Sequence, residues 1–217
     1  MRPDELDYLF ERWPKVFDLA IEHLQLSALA MLLAIVIALP LGIFAARVPR
    51  LTFPIISFLG VVYTVPSLAF LAFLIPSLGI GRNPAIVVLA AYAQIFLVRN
   101  IVAALRGVDA ASLEAARGIG MTTRQVFLRV RWPLALPIVL AGIRTAFVTT
   151  ISLATVSAWI NAGGLGTLLF EGVARDYPAE IWAGALAITA LALLVDAALR
   201  VAGRFTAVSR ASHAARR

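Results

Sequence analysis

Residues 24–46 read LQLSALAMLLAIVIALPLGIFAA, 23 positions without a single charge. Wound as an α-helix at 1.5 Å per residue, the run is about 34 Å long, enough to cross a hydrocarbon core of about 30 Å with some tilt. The whole chain agrees with that reading. Of 217 residues, 61% are hydrophobic and 14% charged, with mean hydropathy +0.92. Soluble domains hold about 45–50% apolar and 25% charged residues. The chain is therefore read as an integral membrane protein, and its length bounds the number of crossings, of which five fit.

Working outward, Arg47-Val48-Pro49-Arg50 forms a tight basic turn, and a second run follows over 53–78, interrupted by Pro54, Pro66 and Pro76. Proline removes a backbone donor and clashes with the preceding turn, so a kinked helix is expected here. Gly79 to Pro84 is a glycine and proline loop. Further runs cover 85–105, 134–160 and 181–201. The predicted fold is all-α and polytopic, one domain over 1–217 with five transmembrane helices. Asn161-Ala162-Gly163-Gly164-Leu165-Gly166 reads as a flexible loop between the fourth and fifth spans.

Between the third and fourth runs lies a basic insert, 106–131. An arginine at the bilayer centre costs about 2.5–3.5 kcal/mol on insertion scales, so the insert is placed outside the membrane. Asp109 is positioned to cap a short helix that Gly118 and Gly120 end, and Thr122-x-x-Gln125 reads as a capping box opening a second helix, limited by Pro133. Leu113, Ala116, Val126, Phe127 and Val130 add an apolar stripe, which implies a partner surface to bury it. The plainer alternative is a solvated loop in which Glu114 and Arg117 make a weak surface pair.

Counting Lys and Arg on alternate sides of five spans gives thirteen on the side of the insert and five on the other, with Arg144 inside the fourth span. Cytoplasmic loops carry the excess, so the amino terminus is expected outside, the carboxyl terminus inside and the insert in the cytoplasm. This topology accounts for the net charge of +7. No basic stretch is interleaved with aromatics, so nucleic acid is not an expected partner. The first 18 residues are polar and mixed in charge, so no cleavable leader is expected.

Cysteine is absent, and His23 and His213 are too few and too far apart for a metal motif. An intramembrane enzyme is disfavoured because no histidine or lysine falls within the predicted spans to activate Ser57, Ser67, Ser152 or Ser157. Arg144 and Asp196 are the two charges well inside spans. They either pair across helices, or Asp196 pairs with Arg200 while Arg144 snorkels. Tyr63, Pro66 and Ser67, with Asn161, Gly163 and Gly164, are candidates for a translocation path, since broken helices recur at transport sites in carriers. Tyr63, Tyr92 and Trp159 offer aromatic faces to a cation, with interfacial anchoring as the alternative.

One spacing in the insert is more specific. Glu114-Ala115-Ala116, three residues, Gly120, nine residues, Val130, one residue, Trp132-Pro133 resembles the Glu-Ala-Ala loop of bacterial ABC-importer permeases, with Val130 and Trp132 replacing the usual Ile and Leu. The segments 63–69, 98–100, 142–146 and 160–166 are similar to the osmoprotectant branch, which imports glycine betaine, choline or carnitine. The resemblance implies that Glu114, Ala115, Ala116, Arg117 and Gly120 form the coupling positions against an ATPase. It implies two ATPase subunits, a second permease subunit, identical or related, and a solute-binding protein expected to be a separate chain. It also implies residence in the bacterial inner membrane and no catalysis or cofactor on this chain, with ATP and Mg on the partner ATPase. A permease of the same fold for methionine or another amino acid is the near alternative. An ATPase-independent channel or membrane scaffold is the distant one.

Overall fold

The computed structural model describes Tyr8 and residues 11–204. Arg2, Arg210, His213, Arg216 and Arg217, used in the sequence reading, lie outside the described residues. Among the described residues every regular element is helical. Helix α1 spans Trp13–Arg47, α2 Pro49–Thr64, α3 Ser67–Leu78 and α4 Arg82–Arg106. Two short helices follow, α5 over Ala110–Gly118 and α6 over Thr123–Val126. A π-turn over Phe127–Arg131 leads directly into α7, Trp132–Ser157, which a 3₁₀ turn, Ala158–Ile160, extends. Helices α8, Gly166–Ala174, and α9, Pro178–Arg204, complete the chain.

α4 is the central helix. It is apolar around most of its circumference, as a helix enclosed by others must be. Val98 and Ile101 meet Ala34 and Ala38 of α1 and Ala135, Val139 and Ala146 of α7 in the main core. Small residues bring the backbones together. A Cβ on Gly42 would stand 2.7 Å from Ile101, and one on Gly142 would stand 2.4 Å from Asn100 Cβ.

Three expectations are corrected here. The second run is two helices, bent by 91°. Pro54 and Pro76 sit inside α2 and α3 without breaking them. The break falls at Val65-Pro66, where both residues are extended (ψ 129° and 132°). Four helices are individually long and apolar enough to cross a membrane, and the bent pair makes a fifth crossing only when taken as one. Packing shows that it does traverse the bundle. Arg106, ending α4, donates to Ala45 O, near the end of α1, at 3.1 Å, while Arg82, starting α4, reaches Gln25 in the first half of α1. Neighbouring helices that run parallel require a connection that returns across the full thickness.

The second correction is that α1 begins eleven residues before the uncharged run, so Lys15 and His23 are helical and belong to a candidate span. The third is that Pro133 does not limit the helix opened by Thr122. The helix continues from Thr123 to Ile160. Trp132 N–H bonds Phe127 O, five residues back, so the widened turn just before Pro133 absorbs the clash a proline makes with the carbonyl four residues earlier.

The molecule thus has two distinct ends. Arg47, Arg50, Arg106 and the insert gather at one. Lys15, Arg82, the 161–166 turn, α8 and the start of α9 lie at the other.

Candidate functional site

The insert is a small folded unit rather than a loose loop. Asp109 caps α5, its carboxylate accepting from Ser112 N–H and Ser112 Oγ, both at 3.0 Å. The backbone bond from Ser112, then its hydroxyl, hold the Asp109 carboxyl below its usual range. Gly120, at φ +85°, turns the chain out of α5, a conformation that favours glycine. The capping box then starts α6, with Thr122 N–H donating to Gln125 Oε1 at 2.8 Å and Gln125 N–H to Thr122 Oγ1 at 3.4 Å.

Here the expectation about the apolar stripe is corrected. Leu113, Ala116 and Val126 are buried against one another, with Val108, Met121 and Val130 around them. Phe127 lies beneath the Arg47 guanidinium, 5.0 Å from ring centroid to Cζ. The stripe is therefore largely covered within the insert and by Arg47, and its burial does not by itself call for a partner. Of the coupling candidates, Ala116 faces inward at 5% exposure, while Glu114, Ala115, Arg117 and Gly120 face out. Among the described residues Glu114 and Arg117 make no ion pair with each other. Ile119, at the end of α5, protrudes with 77% exposure. Sequence reasoning missed it because a lone apolar residue between two glycines carries no periodicity. Beside this unit, Arg47, Arg117, Arg124 and Arg131 border an open concavity of about 740 Å³ floored by Leu113 and Phe127.

The path candidates fall into two groups. Tyr63, Pro66 and Ser67 stand at the break between α2 and α3, where the Tyr63 ring packs edge-on against Tyr92 (5.5 Å) and Phe96 (5.3 Å). The buried Tyr92 hydroxyl donates to Val65 O, the carbonyl that the break releases from the helix. Asn161 (φ 60°), Gly163 and Gly164 (φ 83° and 82°) form a packed turn on α1. Gly164 N–H donates to Glu22 Oε2 at 3.1 Å, and a Cβ there would meet His23 Nδ1 at 2.9 Å. One apolar cluster containing Leu71, Tyr92, Ile160 and Ala162 separates the two groups. Trp159 is exposed and outside both.

Arg144 Nε lies 2.8 Å from Asp196 Oδ1, and Arg200 binds Oδ2 of the same carboxylate, so the cross-helix and same-helix pairs coexist. Two buried polar features were not foreseen. His23 is fully buried, with Nε2 2.9 Å from Ile151 O. Glu180, 1% exposed, receives Tyr8 Oη at 2.8 Å, Lys15 at 3.2 Å and Arg175 at 3.4 Å, which ties the start of α1 to α9. The Tyr8 hydroxyl is pushed up by burial and by the bond to Glu180. The signal for His23 was the helical spacing of Val16, His23, Ser27 and Ala30 across the polar start of α1. No group of three or more His, Cys, Asp or Glu side chains suited to a metal occurs among the described residues.

Residues 38–207 match the family described as binding-protein-dependent transport system inner membrane component. The glycine betaine/carnitine/choline transport system permease protein of Bacillus subtilis is 42% identical over 183 residues, 84% of each chain. The osmoprotectant import permease protein of Salmonella typhimurium is 38% identical, covering 89% of this chain and 92% of that one. Among solved structures, the methionine ABC transporter in an inward-facing conformation superposes with TM-score 0.76 at 23% identity, over 94% of this chain and 98% of that chain. An amino acid ABC transporter follows with TM-score 0.73 at 19% identity, over 92% and 97%. At these identities the two structures speak for the fold alone.

Proposed function

Since the chain belongs to the family of binding-protein-dependent transport system inner membrane components, we propose that it is the permease of an ATP-driven importer for osmoprotectants: glycine betaine, choline, carnitine or similar quaternary ammonium solutes. The observation that carries this reading is 42% identity across 84% of both chains to a permease named for those three solutes. Its cycle is alternating access, in which ATP-driven closure of partner subunits moves the permease between states open to opposite sides.

In this reading the end bearing the insert is cytoplasmic, as its concentration of arginine favours. Glu114, Ala115, Arg117, Gly120 and Ile119 present the surface to the ATPase, and Ala116 holds that surface in place from beneath. Hydrolysis belongs to the ATPase subunits, where ATP and Mg sit, because no Gly-x-x-x-x-Gly-Lys-Ser/Thr phosphate loop occurs in this chain. A second permease subunit completes the pore, and a separate binding protein delivers solute to the opposite face.

Co-expression with a candidate ATPase and binding protein, purification and reconstitution into liposomes test the assignment. ATP-dependent uptake of labelled glycine betaine, choline or carnitine is expected. Uptake of methionine with none of the three would overturn the solute, and failure of any ATPase to co-purify would overturn the coupling.

A further inference from the structure

Resting on that reading, we propose that the groove between α7 and α9 is a solute site within the permease, suited to zwitterionic quaternary ammonium compounds. The groove has a volume of about 480 Å³ and is lined by Arg144, Thr145, Thr149, Ser152, Thr189 and Asp196, among others. Its polarity is out of place on an outer surface. Arg144 lies twelve residues into α7 with 36% of its side chain exposed, whereas the middle of α1 exposes Leu29, Leu32, Leu33, Val36 and Ile37. Ionisable residues at this depth face protein or a water-filled cavity and mark solute paths.

The chemistry of the lining selects a ligand. Each hydroxyl spends its proton on its own helix: Thr145 on Ala141 O at 3.1 Å, Thr149 on Thr145 O at 2.9 Å, Ser152 on Val148 O at 3.2 Å and Thr189 on Ala185 O at 2.8 Å. Toward the groove the hydroxyls turn oxygen lone pairs, beside the apolar Val148, Ile188, Ala192 and Leu193. A trimethylammonium group has no N–H to donate and is attracted by such a surface of partial negative charge without leaving any donor unpaired. At one end of the groove, two guanidinium groups share the single carboxylate of Asp196, a surplus of one positive charge. That end suits a carboxylate. Ser152 and Arg144 are eight positions apart on α7, about 12 Å along the axis, which holds both poles of a small zwitterion.

The chain has no cysteine, which makes the test direct. In the complete importer in liposomes, Thr149→Cys and Thr189→Cys are treated with a methanethiosulfonate reagent bearing a trimethylammonium head. Expected are rapid labelling and slowing of that labelling by glycine betaine, with Leu33→Cys and Val36→Cys unlabelled. In parallel, Arg144→Gln is expected to lower glycine betaine uptake roughly ten-fold or more, the loss of one charged hydrogen bond, while choline uptake is retained. Groove cysteines that label no faster than Leu33→Cys, or label without protection by solute, would overturn the site. So would equal losses of betaine and choline uptake in Arg144→Gln. The unsubstituted importer serves as reference: if it takes up none of these solutes, the functional assignment fails instead.

Discussion

Substituting leucine at two adjacent alanines should separate the two faces of α5. Ala116 is 5% exposed, beneath Leu113 (7%) and Val126 (6%). Three extra carbons there overfill a closed cluster, at a cost of about 1–3 kcal/mol. With tenfold per 1.4 kcal/mol, the unit should open about 5- to 150-fold more often. Ala115 points outward, and a change there shifts stability by no more than about 0.5 kcal/mol. Hydrogen exchange of amides 110–126 in a lipid nanodisc reads the first effect, and retention of the ATPase on a tagged permease reads the second. Ala116→Leu is expected to accelerate exchange and lose uptake. Ala115→Leu is expected to leave exchange unchanged and release the ATPase. An Ala115→Leu permease that keeps its ATPase and transports normally would refute the assignment of that face to the partner.

Gly142→Ala gains about 1 kcal/mol of helix propensity but places a carbon 2.4 Å from Asn100 Cβ, an overpacking cost of about 1–3 kcal/mol; a lowered melting temperature in detergent is expected, and a raised one would refute the close α4–α7 contact. Tyr92→Phe deprives Val65 O of its donor at the helix break and should cost about 1–3 kcal/mol by thermal unfolding, with no change expected if the break is held by Pro66 alone. Because hydrogen bonds from Ser112 lower the Asp109 pKa, the cap is fully present above the ordinary carboxylate range and lost as pH falls through the depressed value. Exchange at Ser112 should therefore rise only on strong acidification, and Asp109→Asn, which keeps an acceptor but no titration, should abolish that rise.

Legibility followed the length scale of the forces involved. Burial of some twenty apolar residues per crossing is a long signal, so all the runs appear as helices. Capping is a short but chemically specific one, so Asp109 and Thr122-x-x-Gln125 were readable within the insert. Three prolines interrupt the second run, and although Pro66 stood out as a path candidate, only the structure shows the break there, with Tyr92 donating to Val65 O, and Pro54 and Pro76 inside unbroken helices. Pro133 looked like a stop because a π-turn is not visible in periodicity. The stripe of Leu113, Ala116 and Val126 looked like a docking face because a short helix–turn–helix can fold its two apolar sides together. Ala115 and Ala116 are equivalent by composition, and only that fold separates the outward one from the inward one.

The continuity of the helix from Thr123 to Ile160 relates the insert to the groove mechanically. A break at Pro133 would have let the insert pivot freely beneath the bundle. The π-turn instead keeps the residues from Thr123 to Ile160 on one rod of about 57 Å. Leu113 and Ala116 pack α5 onto the start of that rod through Val126, so a push on the outward face of α5 is delivered to α7 without an intervening loop. The same rod carries Arg144, Thr149 and Ser152 at the groove, and Ile151 O against the buried His23 of α1. Gly142, pressed on Asn100 of α4, lies between insert and groove, and Ala135, Val139 and Ala146 pack in the same core to either side of it, so a displacement of the insert would reach the groove by way of the α4–α7 contact.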